Sequence, residues 1–313
     1  MLVFVIRRLG SMFAVMMVVA TLVFVIVRVV PGDPAQVMLG DLATPADVAR
    51  LRAELGLDGP IPLQFAIYLK QILSGNLGRS IIFNQAVVEA MLDRAELTLL
   101  LTLMSVGVAV AIGLPVGIVA AVRRGRAIDQ VLTAGAMLAA SLPSFWIGLT
   151  LIQYLALGLG WFPVAGYGPP GAGLVERMHH LVLPALALGV PSSALIMRFA
   201  RTSMVDVLGE DYIRTAHAKG LPTRRVVLKH ALRNAAIPIL TVIGLTVAVL
   251  MGGAIVTETV FALPGVGRMV VQAVFYRDYP VIQGALLVIS GIYVLINFTV
   301  DLLYAVVDPR VRY

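Results

Sequence analysis

Long apolar stretches separated by short polar ones dominate the chain. Six of them, roughly 9–30, 97–122, 131–157, 181–199, 237–256 and 281–306, hold few charges, namely Arg28, Arg198 and Asp301. A hydrocarbon core about 30 Å thick takes about 20 helical residues at about 1.5 Å each. Each stretch therefore predicts one membrane-crossing helix, the fourth only just. Arg7-Arg8 before the first resembles the opening of a signal peptide. The apolar run is too long for that and no small-x-small site ends it, so it predicts an uncleaved span. Segment 31–96 reads differently. Thr44-Pro45-Ala46-Asp47 is a helix start, and Val48, Leu51 and Leu55 follow at helical spacing. Gly56 and Asp58-Gly59-Pro60 stop that helix, and 62–73 carries Phe65, Tyr68, Leu69 and Ile72 on one face of a second. The pattern divides the chain into 1–30 (N-terminus and first span), a helical segment 31–96, and a core 97–313 of five further spans.

Charge orients the spans. Arg7-Arg8 precede the first; Arg123, Arg124 and Arg126 lie between the second and third; Arg310 and Arg312 follow the sixth. Between the fourth and fifth, at about 201–236, come Arg201, Arg214, Lys219, Arg224, Arg225, Lys229 and Arg233 against Asp206, Glu210 and Asp211. Six spans place all four sets on one side. Cytoplasmic loops carry this excess, so both termini are expected inside. Segment 31–96 is then external. Its arginines are no objection, because long external regions translocate largely regardless of charge. It either packs on its own spans and the membrane or meets an external partner.

Composition removes whole classes. At 13% charged and 59% hydrophobic the chain is far from the roughly 25% and 45–50% of soluble domains. The absence of cysteine excludes disulfides and thiolate metal sites. His179, His180, His217 and His230 lack metal-ligand spacing, and no cofactor is expected on this chain. The net charge of +7 sits beside apolar spans, as topology requires, and predicts no nucleic-acid partner. No G-x-x-x-x-G-K-[ST] phosphate loop and no G-x-S-x-G elbow occurs, so the chain is expected not to be an enzyme.

Few polar residues are left to carry function. Pro115 within 113–117 suggests a kink, and Pro143, Pro184 and Pro191 suggest interrupted or starting helices. Arg198 and Glu258, near predicted span ends, are candidates for a pathway or gate or else for structural anchoring; Ser141 and Phe145 join them as pathway candidates. Asn297 and Asp301 at i, i+4 read as interhelical glue. Within the basic insert, Asp211 to Lys219 has helical register closed by Gly220-Leu221-Pro222. A compact helix at the inner surface suits a soluble partner.

That insert resembles the EAA loop of binding-protein-dependent ABC importer permeases. Thr215-Ala216-His217-Ala218-Lys219-Gly220 is similar to Ala-Ala-x-x-x-Gly, with Thr for the first Ala, Arg214 where the general motif has Glu, and Ile237-Pro238 later than usual. The departures resemble the dipeptide/oligopeptide/nickel branch. Further stretches match it in order: PGDP (31–34), LGLDGPIPLQ (55–64), GNLGRS (75–80), SLPSFW (141–146), WFPVAGYG (161–168), HLVLPALALG (180–189), ETVFALPGVGR (258–268), RDYPVIQG (277–284) and DPRVRY (308–313). The nearest likeness is to the B-type permease subunit of dipeptide importers. The resemblance implies an all-α integral membrane protein of the type I ABC importer fold, six transmembrane helices with a helical extracytoplasmic segment between the first two, in the bacterial inner membrane. It implies a heterodimer with a second homologous permease, two cytoplasmic ATPase subunits or domains that hold ATP and Mg, and an external solute-binding protein. Asp211, Tyr212, Arg214, Thr215, Ala216, His217, Gly220 and Leu221 would form the coupling helix. The competing reading is a stand-alone secondary transporter driven by an ion gradient, for which half-to-half similarity and mid-span carboxylates are expected.

Overall fold

The computed structural model describes residues 2–29, 33–40, 43–54 and 56–307. The first two residues of the PGDP motif and the terminal DPRVRY, with Arg310 and Arg312, lie outside the described residues. Among those described, extended pairing is limited to one bridge, Arg79 with Ala86. The helices are α1 (Leu2–Val29), α2 (Pro34–Leu39), α3 (Pro45–Glu54), α4 (Ile61–Leu73), α5 (Val87–Val122), α6 (Ala127–Ser141), α7 (Ser144–Leu151), α8 (Leu174–Leu208), α9 (Asp211–Ala218), α10 (Thr223–Arg225), α11 (Leu232–Val260), α12 (Val266–Phe275) and α13 (Tyr279–Val307).

Five stretches are long and apolar enough to cross a membrane unbroken: Ile6–Val29, Val87–Val122, Leu174–Leu208, Thr223–Val260 and Tyr279–Thr299. The stretch read as one span at 131–157 is instead a bent pair. α6 and α7, the latter continued by π-helical turns at Ile152–Gly158, meet at 93°. Proline is the cause. Pro143 caps α7 and holds Leu142 extended at φ −83°, ψ 127°, because the residue before proline is driven out of the helical region. Counting that pair as one span gives six. Pro184 and Pro191, expected to interrupt or begin helices, do neither, since α8 runs through both. Membrane helices tolerate internal proline where neighbouring groups restore the freed backbone partners, and α8 packs against α6, α7 and α11.

Two compact units are built from this chain. One joins Met1–Glu96 to Gly265–Leu295, so 265–295 groups with the N-terminal segment rather than with the core expected at 97–313. In it α3 starts as its sequence predicts. The Asp47 N–H donates to Thr44 Oγ1 at 3.2 Å and the Thr44 N–H to Asp47 Oδ2 at 3.2 Å, a reciprocal cap. The Thr44 hydroxyl holds the Asp47 carboxyl below the usual carboxylate range. Arg52 bridges Asp33, at the start of α2, and Asp58 at 3.1 Å. Phe65, Tyr68, Leu69 and Ile72 are the half-buried face of α4, while Ile61, Leu63 and Leu73 stay exposed. Phe24 of α1 lies 5.0 Å from Phe65 and 5.4 Å from Tyr68 between ring centroids. The segment thus packs on its own first span.

The strongest polar joint of this unit ties two stretches that the sequence marked separately, GNLGRS and RDYPVIQG. Asp278, almost fully buried, accepts from the Ser80 hydroxyl at 2.7 Å and from the N–H groups of Ile81 and Ile82 at 3.1 and 3.2 Å. Around it Val87, Ala90, Met91, Val266, Met269, Ala273, Val281 and Ala285 form an apolar cluster. Asp278→Ala strands the buried Ser80 hydroxyl and two N–H groups. The expected cost is about 3 kcal/mol, since a buried donor without a partner costs about 1–3 kcal/mol. The readout is faster protease cleavage within 75–85, with Asp278→Asn milder because it keeps an acceptor oxygen.

The second unit comprises Leu97–Pro264 and, among the described residues, 296–307. Its largest cluster gathers Leu97, Leu101, Leu181, Leu183, Leu250, Phe261 and Leu263. Marked stretches meet here too. The Gly166 N–H donates to the Phe261 carbonyl at 2.9 Å, and His180 Nδ1 lies 3.1 Å from the Gly166 carbonyl. WFPVAGYG, HLVLPALALG and ETVFALPGVGR are therefore packing joints of one core.

Candidate functional site

The insert expected as a loop at about 201–236 is mostly helical. α8 runs on to Leu208, and from Thr223 the chain is helical to Val260, with π-helical turns at Val226–Ala231. Basic side chains at a helix end extend into water without unwinding the backbone, so charge density overstated the loop. α9 lies between these two helices. Ile213 and Ala216 are its buried face, set into Ala121, Ala200, Met204, Val226, Val227 and Ala231.

The end of α9 is shaped by Gly220. It has φ +76°, its N–H donates to the His217 carbonyl at 2.9 Å, and the Leu221 N–H reaches the Ala216 carbonyl at 3.4 Å. This pair of bonds is a Schellman termination, completed by Leu221 packing on the same apolar cluster as Ala216. The close approach that Ala216 permits is thus to its own chain, and Leu221 is half-buried beside it. Asp211, Tyr212, Arg214, Thr215 and His217 are exposed. Asn234 Nδ2 donates to the Tyr212 hydroxyl at 3.0 Å, which orients that ring. Arg214 and Asp211 pair at 3.2 Å on the surface, where ion pairs contribute little. With Lys219, Arg224, Arg225, Lys229 and Arg233 also exposed, this end of the unit offers a basic face around one rigid helix.

Arg201 differs from its basic neighbours. Its Nε and Nη2 donate to Asp129 Oδ1 and Oδ2 at 2.6 and 2.7 Å, a two-pronged pair. Asp129 is buried and also accepts the Gly125 N–H at 2.9 Å, so the short α5–α6 turn is tied to the end of α8. By sequence alone Arg201 is one of the basic charges of the insert, and nothing marks Asp129 as its partner. Asp129 itself carries only a local signal, a carboxylate in the first turn of a helix, four residues after a glycine in a basic turn.

The four pathway candidates lie on different elements. Ser141 ends α6 and bonds the Leu138 carbonyl, Phe145 opens α7, Arg198 is on α8, and all three are exposed. Glu258 on α11 is completely buried, its Oε1 accepting from the Thr98 hydroxyl at 2.8 Å. Among the described residues no three His, Asp or Glu side chains gather as a metal set.

Helices of membrane length, one pair of them bent, with a short helix seated between two long ones, define a multi-pass membrane protein. The model of the binding-protein-dependent transport system inner membrane component matches residues 113–313, and that of the N-terminal part of such membrane components matches 1–102. The chain belongs to this family. It is 45% identical over 311 residues to the probable peptide ABC transporter permease protein y4tP of Sinorhizobium fredii, covering 99% of each chain. It is 43% identical to the glutathione transport system permease protein GsiC of Salmonella choleraesuis, covering 100% of each. It is 40% identical to the dipeptide transport system permease protein DppB of Escherichia coli K12, covering 100% of this chain and 99% of that one. Among solved structures, an inward-facing conformation of the MetNI methionine ABC transporter shares the fold. Its TM-score is 0.57 at 21% identity, covering 69% of this chain and 95% of that one.

Proposed function

We propose that this chain is one of two permease subunits of an ATP-driven importer of dipeptides or short oligopeptides. It spans the bacterial inner membrane with both termini cytoplasmic, and α9 is its coupling helix. The observation that carries this reading is the two-sidedness of α9. One face is locked into the chain's own core by Ile213 and Ala216, and the other presents Tyr212, Arg214 and His217 to whatever lies outside. A helix so held moves with α8 and α11, so a push on its outer face is delivered to the spans as a rigid displacement. The sequence holds no phosphate-cradling loop, which supports a reading in which separate ATPase subunits or domains hold ATP and Mg. The exposed apolar faces of α6 and α7, with Val131, Leu138, Phe145, Trp146 and Leu149, suit lipid and a second permease. An extracytoplasmic solute-binding protein delivers substrate. The peptide assignment leans on the names carried by relatives that match end to end.

Vesicles holding this chain with the second permease and the ATPases are expected to accumulate labelled dialanine only with ATP and the binding protein present. Accumulation by this chain alone, driven by an ion gradient, would establish the secondary-transporter reading instead.

A further inference from the structure

Within the unit of Met1–Glu96 and Gly265–Leu295 lies a cleft of about 840 Å³, lined by the end of α1, by α3 and α4, by the segment around Arg79 and by the start of α13. Its volume is in the range of about 300–1,000 Å³ usual for small-molecule sites. Three arginines line it, Arg28, Arg50 and Arg79, against one carboxylate, Asp47, which is turned to its cap with Thr44.

One corner of the cleft is rigidly built. The Arg28 guanidinium lies 3.5 Å from the Phe24 ring centroid. Its Nε donates to Gln64 Oε1 at 2.9 Å and its Nη1 to the Phe24 carbonyl at 3.1 Å. Gln64 is itself fixed, its amide donating to the Leu57 and Gly59 carbonyls at 3.0 and 2.8 Å. A guanidinium has five N–H groups; those not used in these two bonds have no acceptor among the described residues. Tyr68, on the same wall, feels the Arg28 charge. Its hydroxyl oxygen is shut off from solvent and has no hydrogen-bond partner among the described residues. Burial pushes that phenol up to about 12, so it stays a donor. Folded proteins leave few buried hydroxyls unpaired, and each such group calls for an explanation. Arg28 and Tyr68 both line the cleft and both lie against the Phe24 ring, and two donors with unused N–H or O–H groups among the described residues suit an acceptor-only anion such as a carboxylate.

We propose that this cleft binds the C-terminal carboxylate of a short peptide, with Arg28 and Tyr68 as its donors, a site that rests on the peptide-importer reading above. The amide of Gln283, also on the lining, suits the N–H and C=O groups of the peptide that follows the carboxylate. A lipid phosphate shares the acceptor chemistry, and the experiment separates the two.

The chain has no cysteine, so a single reporter, Gln71→Cys on the exposed side of the cleft lining, carries no background. The full-length protein is placed in nanodiscs of phosphatidylcholine and the alkylation rate of the reporter by a charged maleimide is followed. Millimolar dialanine is expected to slow alkylation several-fold, while dialanine amide, which lacks the carboxylate, leaves it unchanged. Arg28→Gln is expected to abolish the protection, Tyr68→Phe to weaken it, and Arg28→Lys to retain part of it, with unchanged basal rates reporting intact folds. Equal protection by the amide, absence of protection, or slowing that follows added phosphatidylglycerol and not dialanine overturns the proposal. ATP-driven uptake is a separate readout: lost uptake with protection intact counts against the permease reading and leaves this site standing.

Discussion

Replacing Gly117 by leucine is expected to remove the protein from the membrane fraction. A Cβ built on Gly117 would sit 2.6 Å from the Met197 carbonyl oxygen and 2.8 Å from Ala200 Cβ, and one on Gly113 would sit 2.4 Å from the Ser193 carbonyl oxygen. These contacts are with backbone or with a buried alanine of α8, which no rotamer change can clear. Without Cβ atoms at these two positions, α5 approaches α8 backbone to backbone, which is how small residues four apart join membrane helices when lipid supplies no hydrophobic drive. Even Gly117→Ala is expected to lower the thermal midpoint in detergent, because overpacking a tight interface costs about 1–3 kcal/mol. Gly107→Leu on the same helix is the control. It is exposed and nothing lies within 4 Å of its built Cβ, so its level and midpoint are expected to match the parent protein. A Gly117→Leu protein with the parent's midpoint would show that α5 and α8 do not pack in this way.

The second large effect belongs to Gly220 and to function rather than accumulation. Its built Cβ meets nothing within 4 Å, so bulk is not the difficulty; its φ of +76° is. A β-branched residue is a conformational outlier there, and the left-handed region costs an ordinary L-residue about 1–2 kcal/mol. Gly220→Val relieves that strain by undoing the Schellman termination and loosening α9 on Ile213 and Ala216. The protein is expected at normal levels, since the insert contributes only one cluster of the core. ATP-driven uptake is expected to fall about tenfold, the shift in docked population that 1–2 kcal/mol produces. Asn occupies the left-handed region readily, so Gly220→Asn is expected to keep most of the uptake. Parent-level uptake by the valine variant would sink the coupling role of α9.

Legibility varied with the range of the interaction. Thr44, Pro45 and Asp47 announced α3 because a cap is decided within four residues. Gly220 and Pro222 announced the end of α9 for the same reason. Five of the six spans were legible from apolar length, though several ends fell short where amphipathic turns continue the helix, as in α8 from Leu174 to Leu208. The interruption between α6 and α7 was legible in Pro143, whereas its 93° bend was not, because apolar length says nothing about direction. At 113–117 attention went to Pro115, which lies within the unbroken α5, while the two flanking glycines govern the contact with α8. The nine marked stretches signalled kinship before their physical roles were visible. Among the described residues several of them are joints between distant segments, such as Ser80 with Asp278.

By itself the sequence determined what local and additive physics determine: that the chain enters a membrane, where its helices run, which end is basic and where α9 must stop. Periodicity, caps and summed hydropathy act within a few turns and need no partner. Only the tertiary structure decided which charges are spent internally and which face outward. Arg201 is bound to Asp129 across 72 positions and Asp278 to Ser80 across 198, whereas Arg214 and His217 remain exposed. A side chain's partner is set by the packing of segments remote in sequence, and one-dimensional spacing holds no record of that distance.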